Sequence, residues 1–240
     1  MTSATSIPEQ HRPREAGSPF RYSAALALLG AAALGAGTWL HPAGADPDDS
    51  AAAFAEYAAT SRATWVASHL LQLVGVTGVT LAMILLAAAL ADASPSWVQA
   101  TRTLGASSLA VAATLQAVDG VALKVVVDLW AAASAADEPG LLAAALAVRS
   151  VEIGLDGLWA LMLAATALAL TAVLLTAPSA RRSLALLTGA AAVISALGGI
   201  LFCLQGFSPA AMNVGTAGAV LGFVAVTATA LFVRRRPTTR

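Results

Sequence analysis

From Arg21 onward the chain is a succession of apolar runs separated by short polar breaks. A run of about 20 residues, rising about 1.5 Å each, crosses a hydrocarbon core of roughly 30 Å. Six spans are expected, at about 22–41, 65–90, 103–128, 150–177, 184–204 and 212–233. The breaks carry turn and boundary chemistry: His41-Pro42, Asp92 with Ser94 and Pro95, Asp137-Glu138-Pro139-Gly140, Pro178 with Arg181-Arg182, and Gly206 to Pro209. The expected fold class is therefore all-α, a polytopic transmembrane bundle of about six helices. The apolar stretch from Leu141 to Ala177 exceeds one upright span, so its beginning lies outside the core or the helix tilts.

Two tails flank this domain, which covers residues 21–233. Residues 1–20 hold three prolines and several charges without an apolar period, the pattern of a disordered cytoplasmic tail, and 234–240 form a basic one. A cleaved signal peptide competes for the first span, because arginines precede it and Ala43-Gly44-Ala45 has the spacing of a cleavage site. Its apolar run is longer than an h-region of about 7 to 15 residues, which favours an uncut helix.

The outer loop, 42–64, has its own pattern. Asp48, Asp49 and Ser50 offer N-caps to AAAFAEYAATSR, where Phe54, Tyr57 and Ala58 recur at helical spacing, so a short amphipathic extracytoplasmic surface helix is expected. Trp65 suits an interfacial anchor at the start of the second span. Gly218 and Gly222 form a small-xxx-small pair, and the first and fifth spans are rich in Gly and Ala, which suits close helix packing.

Composition sharpens the class. With 58% hydrophobic and 11% charged residues, water is not the main solvent of this chain. Its 13 basic and 13 acidic residues cancel, and no basic block suited to a phosphate backbone occurs, so nucleic acid is not an expected partner. Lipid is the expected one, with self-association left open and protein partners unspecified. Cys203 stands alone, which rules out an intrachain disulfide and a cysteine-built metal site within one chain. Arginine replaces lysine everywhere but at Lys124, and with the heavy use of alanine this fits a GC-rich, bacterial genome. Arg12, Arg14, Arg21, Arg102, Arg181, Arg182, Arg234, Arg235, Arg236 and Arg240 fall on one side of six alternating spans, and Arg62 lies in a loop on the other. Both termini are accordingly expected in the cytoplasm of a cell-membrane protein.

Ionisable groups within spans cost about 2.5 to 3.5 kcal/mol at the centre on insertion scales, so each calls for a partner or a purpose. Counting outward from the cytoplasmic ends places His69, Lys124, Asp156, Gln205 and Asn213 near one level at the outer boundary, with His41 beside them. Asp119, in a span starting at Thr103, falls deeper. On an ideal helix it points away from Lys124, so its partner must come from another helix, whereas Lys124 and Asp128 are i, i+4 and can pair locally. Arg149, Glu152 and Asp156 share one face, as do His69 and Gln72. The candidate ligand- or proton-binding residues are His69, Gln72, Gln116, Asp119, Glu152 and Asp156, with Lys124 or Arg149 compensating charge, in an outward-opening polar pocket. The competing reading is that these groups snorkel or pair to fix the packing.

More specific chemistry has no motif behind it. One histidine with Asp119, Glu152 and Asp156 could hold a divalent ion, and His41 with His69 could bind haem, but neither metal nor cofactor is expected from the pattern. Serines occur without a nucleophile elbow. VDGVAL and LDGLWAL echo one another in antiparallel spans, as an inverted repeat would.

The layout of TWVASHLLQLVG, then LQAVDGVALKVVVDLW, then VRSVEIGLDGLWAL resembles uncharacterised six-helix bacterial membrane proteins grouped as a domain of unknown function. It covers most of the chain after Phe20. The resemblance implies the architecture and transfers no functional residue. Three function classes follow from the residues. The leading one binds or moves a proton, cation or small polar ligand in the outer pocket. The alternative is a structural or regulatory bundle whose charges fix packing and whose outer loop meets a partner. An intramembrane enzyme comes third.

Overall fold

A computed structural model describes residues 18–233. Most of the N-terminal tail and the basic 234–240 segment lie outside the described residues. The described chain is all-α: α1 (Ser18–Leu40), α2 (Ser50–Ala59), α3 (Arg62–Ala89), α4 (Pro95–Ala131), α5 (Glu138–Thr176), α6 (Arg182–Gln205) and α7 (Pro209–Phe232). All but α2 are long and apolar enough to cross a membrane, the architecture of a multi-pass integral membrane protein.

Helix boundaries follow local chemistry. Pro95, Pro139 and Pro209 stand in the first turns of α4, α5 and α7, where a missing N–H costs nothing. Asp49 and Ser208 cap α2 and α7 by accepting the N–H groups of Ala52 and Ala211. Gly206 closes α6 at φ +62°, a conformation open to glycine. Two helices start earlier than the apolar pattern alone suggests. Pro95 begins α4 eight residues before Thr103, and α5 runs unbroken for 39 residues because nothing after Pro139 interrupts it. At about 1.5 Å per residue α5 is almost twice the thickness of a hydrocarbon core, so part of it extends beyond or tilts. Ser18 to Phe20, assigned by pattern to the tail, belong to α1, where Phe20 is buried.

The six long helices form a closed ring in the order α1, α3, α4, α5, α6, α7, with α7 returning to α1. Both described chain ends lie at one end of the ring, here the near end. The connection carrying α2 lies at the other, the far end. The α1–α3 seam is the tightest approach that bears on the site. A Cβ on Gly30 would stand 2.8 Å from the Gly75 carbonyl oxygen, and one on Gly37 would stand 2.6 Å from that of Ser68. Small residues thus let these two backbones touch, which brings the C-terminus of α1 against the first turns of α3. The Gly218/Gly222 pair divides: Gly218 backs onto Ser195 of α6, while Gly222 faces open space.

Two apolar clusters hold the ring. The near-end cluster is aliphatic, built on Met83, Leu86, Val98, Leu170, Val173, Leu174 and Val226. The far-end cluster sets Phe54 and Tyr57 of α2 against Trp65, Leu123, Val127 and Ala145. The surface helix therefore packs on the bundle itself, with Phe54 fully buried.

Candidate functional site

The polar residues converge beneath α2. The helix α4 widens into a π-helical turn over Val118–Leu123, the VDGVAL segment, before resuming its α geometry at Lys124. Such turns cluster at functional positions because they re-aim side chains and leave carbonyls for other donors. Here the Asp119 carbonyl accepts the indole Nε1–H of Trp65 at 3.2 Å. Gly120 follows because the turn lies against His69; a Cβ there would stand 2.9 Å from the His69 Cβ.

His69, on α3, is buried and meets the Asp119 carboxylate directly, Nε2 to Oδ2 at 2.8 Å. Its other nitrogen, Nδ1, lies 2.7 Å from the Trp65 carbonyl oxygen, which can only accept. The Ser68 hydroxyl donates to that same carbonyl, so its oxygen lone pairs are left toward Nδ1. Nδ1 therefore carries a proton. A neutral imidazole then has a bare Nε2, and two bare lone pairs cannot meet at 2.8 Å. The His69–Asp119 contact therefore holds one further proton, as a His–Asp ion pair does.

His41, just past the end of α1, completes the centre. Its ring lies against His69, Trp65 and Tyr57, with centroids 5.2, 5.1 and 5.8 Å away. Its Nδ1–H donates to the Pro42 carbonyl at 2.8 Å, leaving Nε2 as a lone pair. Burial lowers the His41 pKa, and the Asp119 charge opposes this only partly. The two imidazoles touch edge to face, which leaves no slot for a porphyrin between them. The candidate ligand atoms of His41, His69 and Asp119 all lie within 4.8 Å of one another.

Asp119 Oδ1, Gln116 Oε1 and Glu152 Oε2 are buried and receive no hydrogen bond among the described residues. Glu152 is 5% exposed, and both it and Asp156 stand within electrostatic reach of Asp119. The early start of α4 also changes the depth of Asp119. Eight added residues correspond to roughly 12 Å of helix, which brings Asp119 level with His69 instead of deeper.

Arg149 acts electrostatically on Glu152 and Asp156, as its place on their face predicts, and Lys124 and Arg149 both also reach toward α2. Lys124 Nζ donates to Asp128 at 2.6 Å and to the Tyr57 carbonyl at 2.8 Å. Arg149 donates to the Pro47 carbonyl at 2.8 Å and the Tyr57 hydroxyl at 3.3 Å, with its guanidinium over the rings of Phe54, Tyr57 and Phe207. Both cations clamp α2 and its approach to the bundle. Glu56 ties the same connection by accepting the N–H groups of Gly44 and Ala45. Burial raises the Tyr57 pKa against the pull of Arg149. Gln72 lines the α1–α3 seam, where a Cβ on Gly37 would meet its Cγ.

Sequence reasoning set His41 at the right level but left it out of the candidate set, because its neighbours come from other helices and no single-helix period links them. A mid-bundle cavity of about 50 Å³, lined by Leu34, Val76, Trp159, Ala191, Gly222 and Phe223 among others, includes none of the candidate residues. No protein-family model, no curated protein and no solved structure matches this chain.

Proposed function

We propose that this membrane protein binds a small cation, a proton or a metal ion, at the extracytoplasmic end of its helix ring and exchanges it with that side. The observation that carries this reading is the His69–Asp119 contact, where Nδ1–H donation to Trp65 leaves Nε2 and Oδ2 to share a proton that another cation could replace. The unpartnered oxygens of Asp119, Glu152 and Gln116 add acceptors for the same purpose. Arg21, Arg102, Arg181 and Arg182 at the near end support placing that end in the cytoplasm. The aliphatic near-end cluster between the site and the termini supports binding from one side over conduction through the ring.

The structural alternative draws on the Lys124 and Arg149 clamp, which fixes packing without any ligand. Thermal stability in nanodiscs separates the two, since a ligand bound only by the folded state raises the melting point by mass action. The wild type should show a melting point that depends on pH and on added cations, and Asp119→Asn should fold while losing the cation dependence and the part of the pH dependence that Asp119 carries. A melting point indifferent to protons and cations in the wild type would leave the structural reading in its place.

A further inference from the structure

We infer that His41, His69 and Asp119 form a site for one divalent transition-metal ion of the zinc class. The inference rests on the cation-site reading above and names the cation. Two imidazoles and a carboxylate are the donor set that borderline ions such as Zn²⁺ prefer, whereas Mg²⁺ and Ca²⁺ call for oxygen ligands throughout.

The outer shell is already arranged. Metal-binding histidines generally donate their second ring N–H to a carbonyl or carboxylate, which fixes the tautomer and aims the lone pair. Both histidines do so here, His41 to Pro42 and His69 to Trp65, and both leave Nε2 for the ion. The rings are held by stacking: His69 on Trp65 at 4.7 Å, and His41 between His69, Trp65 and Tyr57.

The three ligands come from α1, α3 and the π-helical turn, brought together by the glycine seam and by Gly120. Ligand atoms within 4.8 Å of one another need only side-chain adjustment to reach the separation of roughly 3.4 Å set by tetrahedral bonds of about 2.0 to 2.1 Å. The ion would replace the proton shared between His69 Nε2 and Asp119 Oδ2 and release it to solvent. Three protein ligands leave a fourth position for water, the pattern of an open site. Asp119 neutralises half of the ion's charge, and the buried Glu152 carboxyl, with one oxygen unpartnered, lies within electrostatic reach of the site.

The test uses the full chain in nanodiscs, free of affinity tags and stripped with chelator, titrated with Zn²⁺ and, for its visible spectrum, Co²⁺. The expected result is one Zn²⁺ per chain, proton release on binding, and a Co²⁺ band of tetrahedral intensity. His41→Phe keeps the ring packing and Asp119→Asn the shape. Each should weaken Zn²⁺ by more than about 100-fold, beyond the 10- to 100-fold typical of losing an outer-shell partner. His11→Ala, which changes the third histidine of the chain, should leave affinity unchanged. Absence of stoichiometric Zn²⁺ binding by folded wild type, or binding that survives either variant, overturns the inference. If the wild type takes up no Zn²⁺ but its melting point still responds to pH through Asp119, the metal assignment falls and the cation site stands. If neither response occurs, both fall.

Discussion

The two ends of the ring are held by different physics. At the near end, short connections and aliphatic side chains such as Leu86, Val173 and Leu174 make a cluster whose contacts are van der Waals. At the far end, Trp65, Tyr57 and Phe54 cover a layer in which His69, Lys124, Arg149 and Glu152 are all buried. Every charge there needs a partner, and most have one. The near end can lose a methyl group and lose only stability. At the far end, losing Trp65, Tyr57 or either clamping cation also changes which polar groups face one another.

The largest expected effect tests that contrast with one truncation at each end. Trp65→Ala should cost about 3 to 5 kcal/mol, as fully buried aromatics do, and it also removes the indole donor from the Asp119 carbonyl. Leu174→Ala, equally buried, should cost about 2 to 5 kcal/mol. Melting and cation titration together check the difference: Trp65→Ala should lose both stability and cation response, Leu174→Ala stability alone. A Leu174→Ala protein with altered cation affinity would erase the distinction between the ends.

A smaller and more local effect is expected from the clamp. Arg149→Met removes the hydrogen bonds to Pro47 and Tyr57 and should loosen α2 while the ring stays folded. Amide exchange across Ala51 to Ala59 should then accelerate while exchange in α5 and α6 stays slow. Unchanged protection of α2 would mean that Phe54 and Tyr57 dock it without the cation.

Much of this organisation is legible in the sequence, for reasons that mark the limits of reading one helix at a time. Run length and proline placement reveal six helices, and the Lys124–Asp128 spacing anticipates an ion pair that forms at 2.6 Å. The Arg149, Glu152 and Asp156 stripe is likewise a one-helix pattern. The sequence also requires a partner for Asp119 on another helix and sets His69 in the same pocket, which the 2.8 Å contact bears out, but the π-helical turn that carries Asp119 is not a one-helix periodic pattern. Nor is the seat of His41, which depends on the glycine seam that joins α1 to α3. Arg149 does act on Glu152 and Asp156 of its own face, and its guanidinium also reaches the α2 connection, a second role that only the tertiary fold brings near.

The smallest effect concerns acid. His41 has its pKa lowered in the fold by burial. The unfolded chain therefore binds that proton first, so the His41 contribution to stability is full above the ordinary histidine value and declines as pH falls through it. Asp119, His69 and Glu56 act on it from the turn, α3 and α2. In chelator, the melting point of the wild type should fall on acidification more than that of His41→Phe. Equal slopes would show that His41 does not sense the pH.

Nitrogen-15 spectra of the three histidines in nanodiscs test the shared cation most directly, since each ring nitrogen reports whether it carries a proton, a metal or a lone pair. At neutral pH in chelator, His69 should show a protonated Nδ1 and an Nε2 in a strong proton-sharing bond. That Nε2 signal should move when cation is added, and Asp119→Asn should abolish the movement. A neutral His69 with a bare Nδ1 and an ordinary Nε2–H, unmoved by cations, would contradict the account.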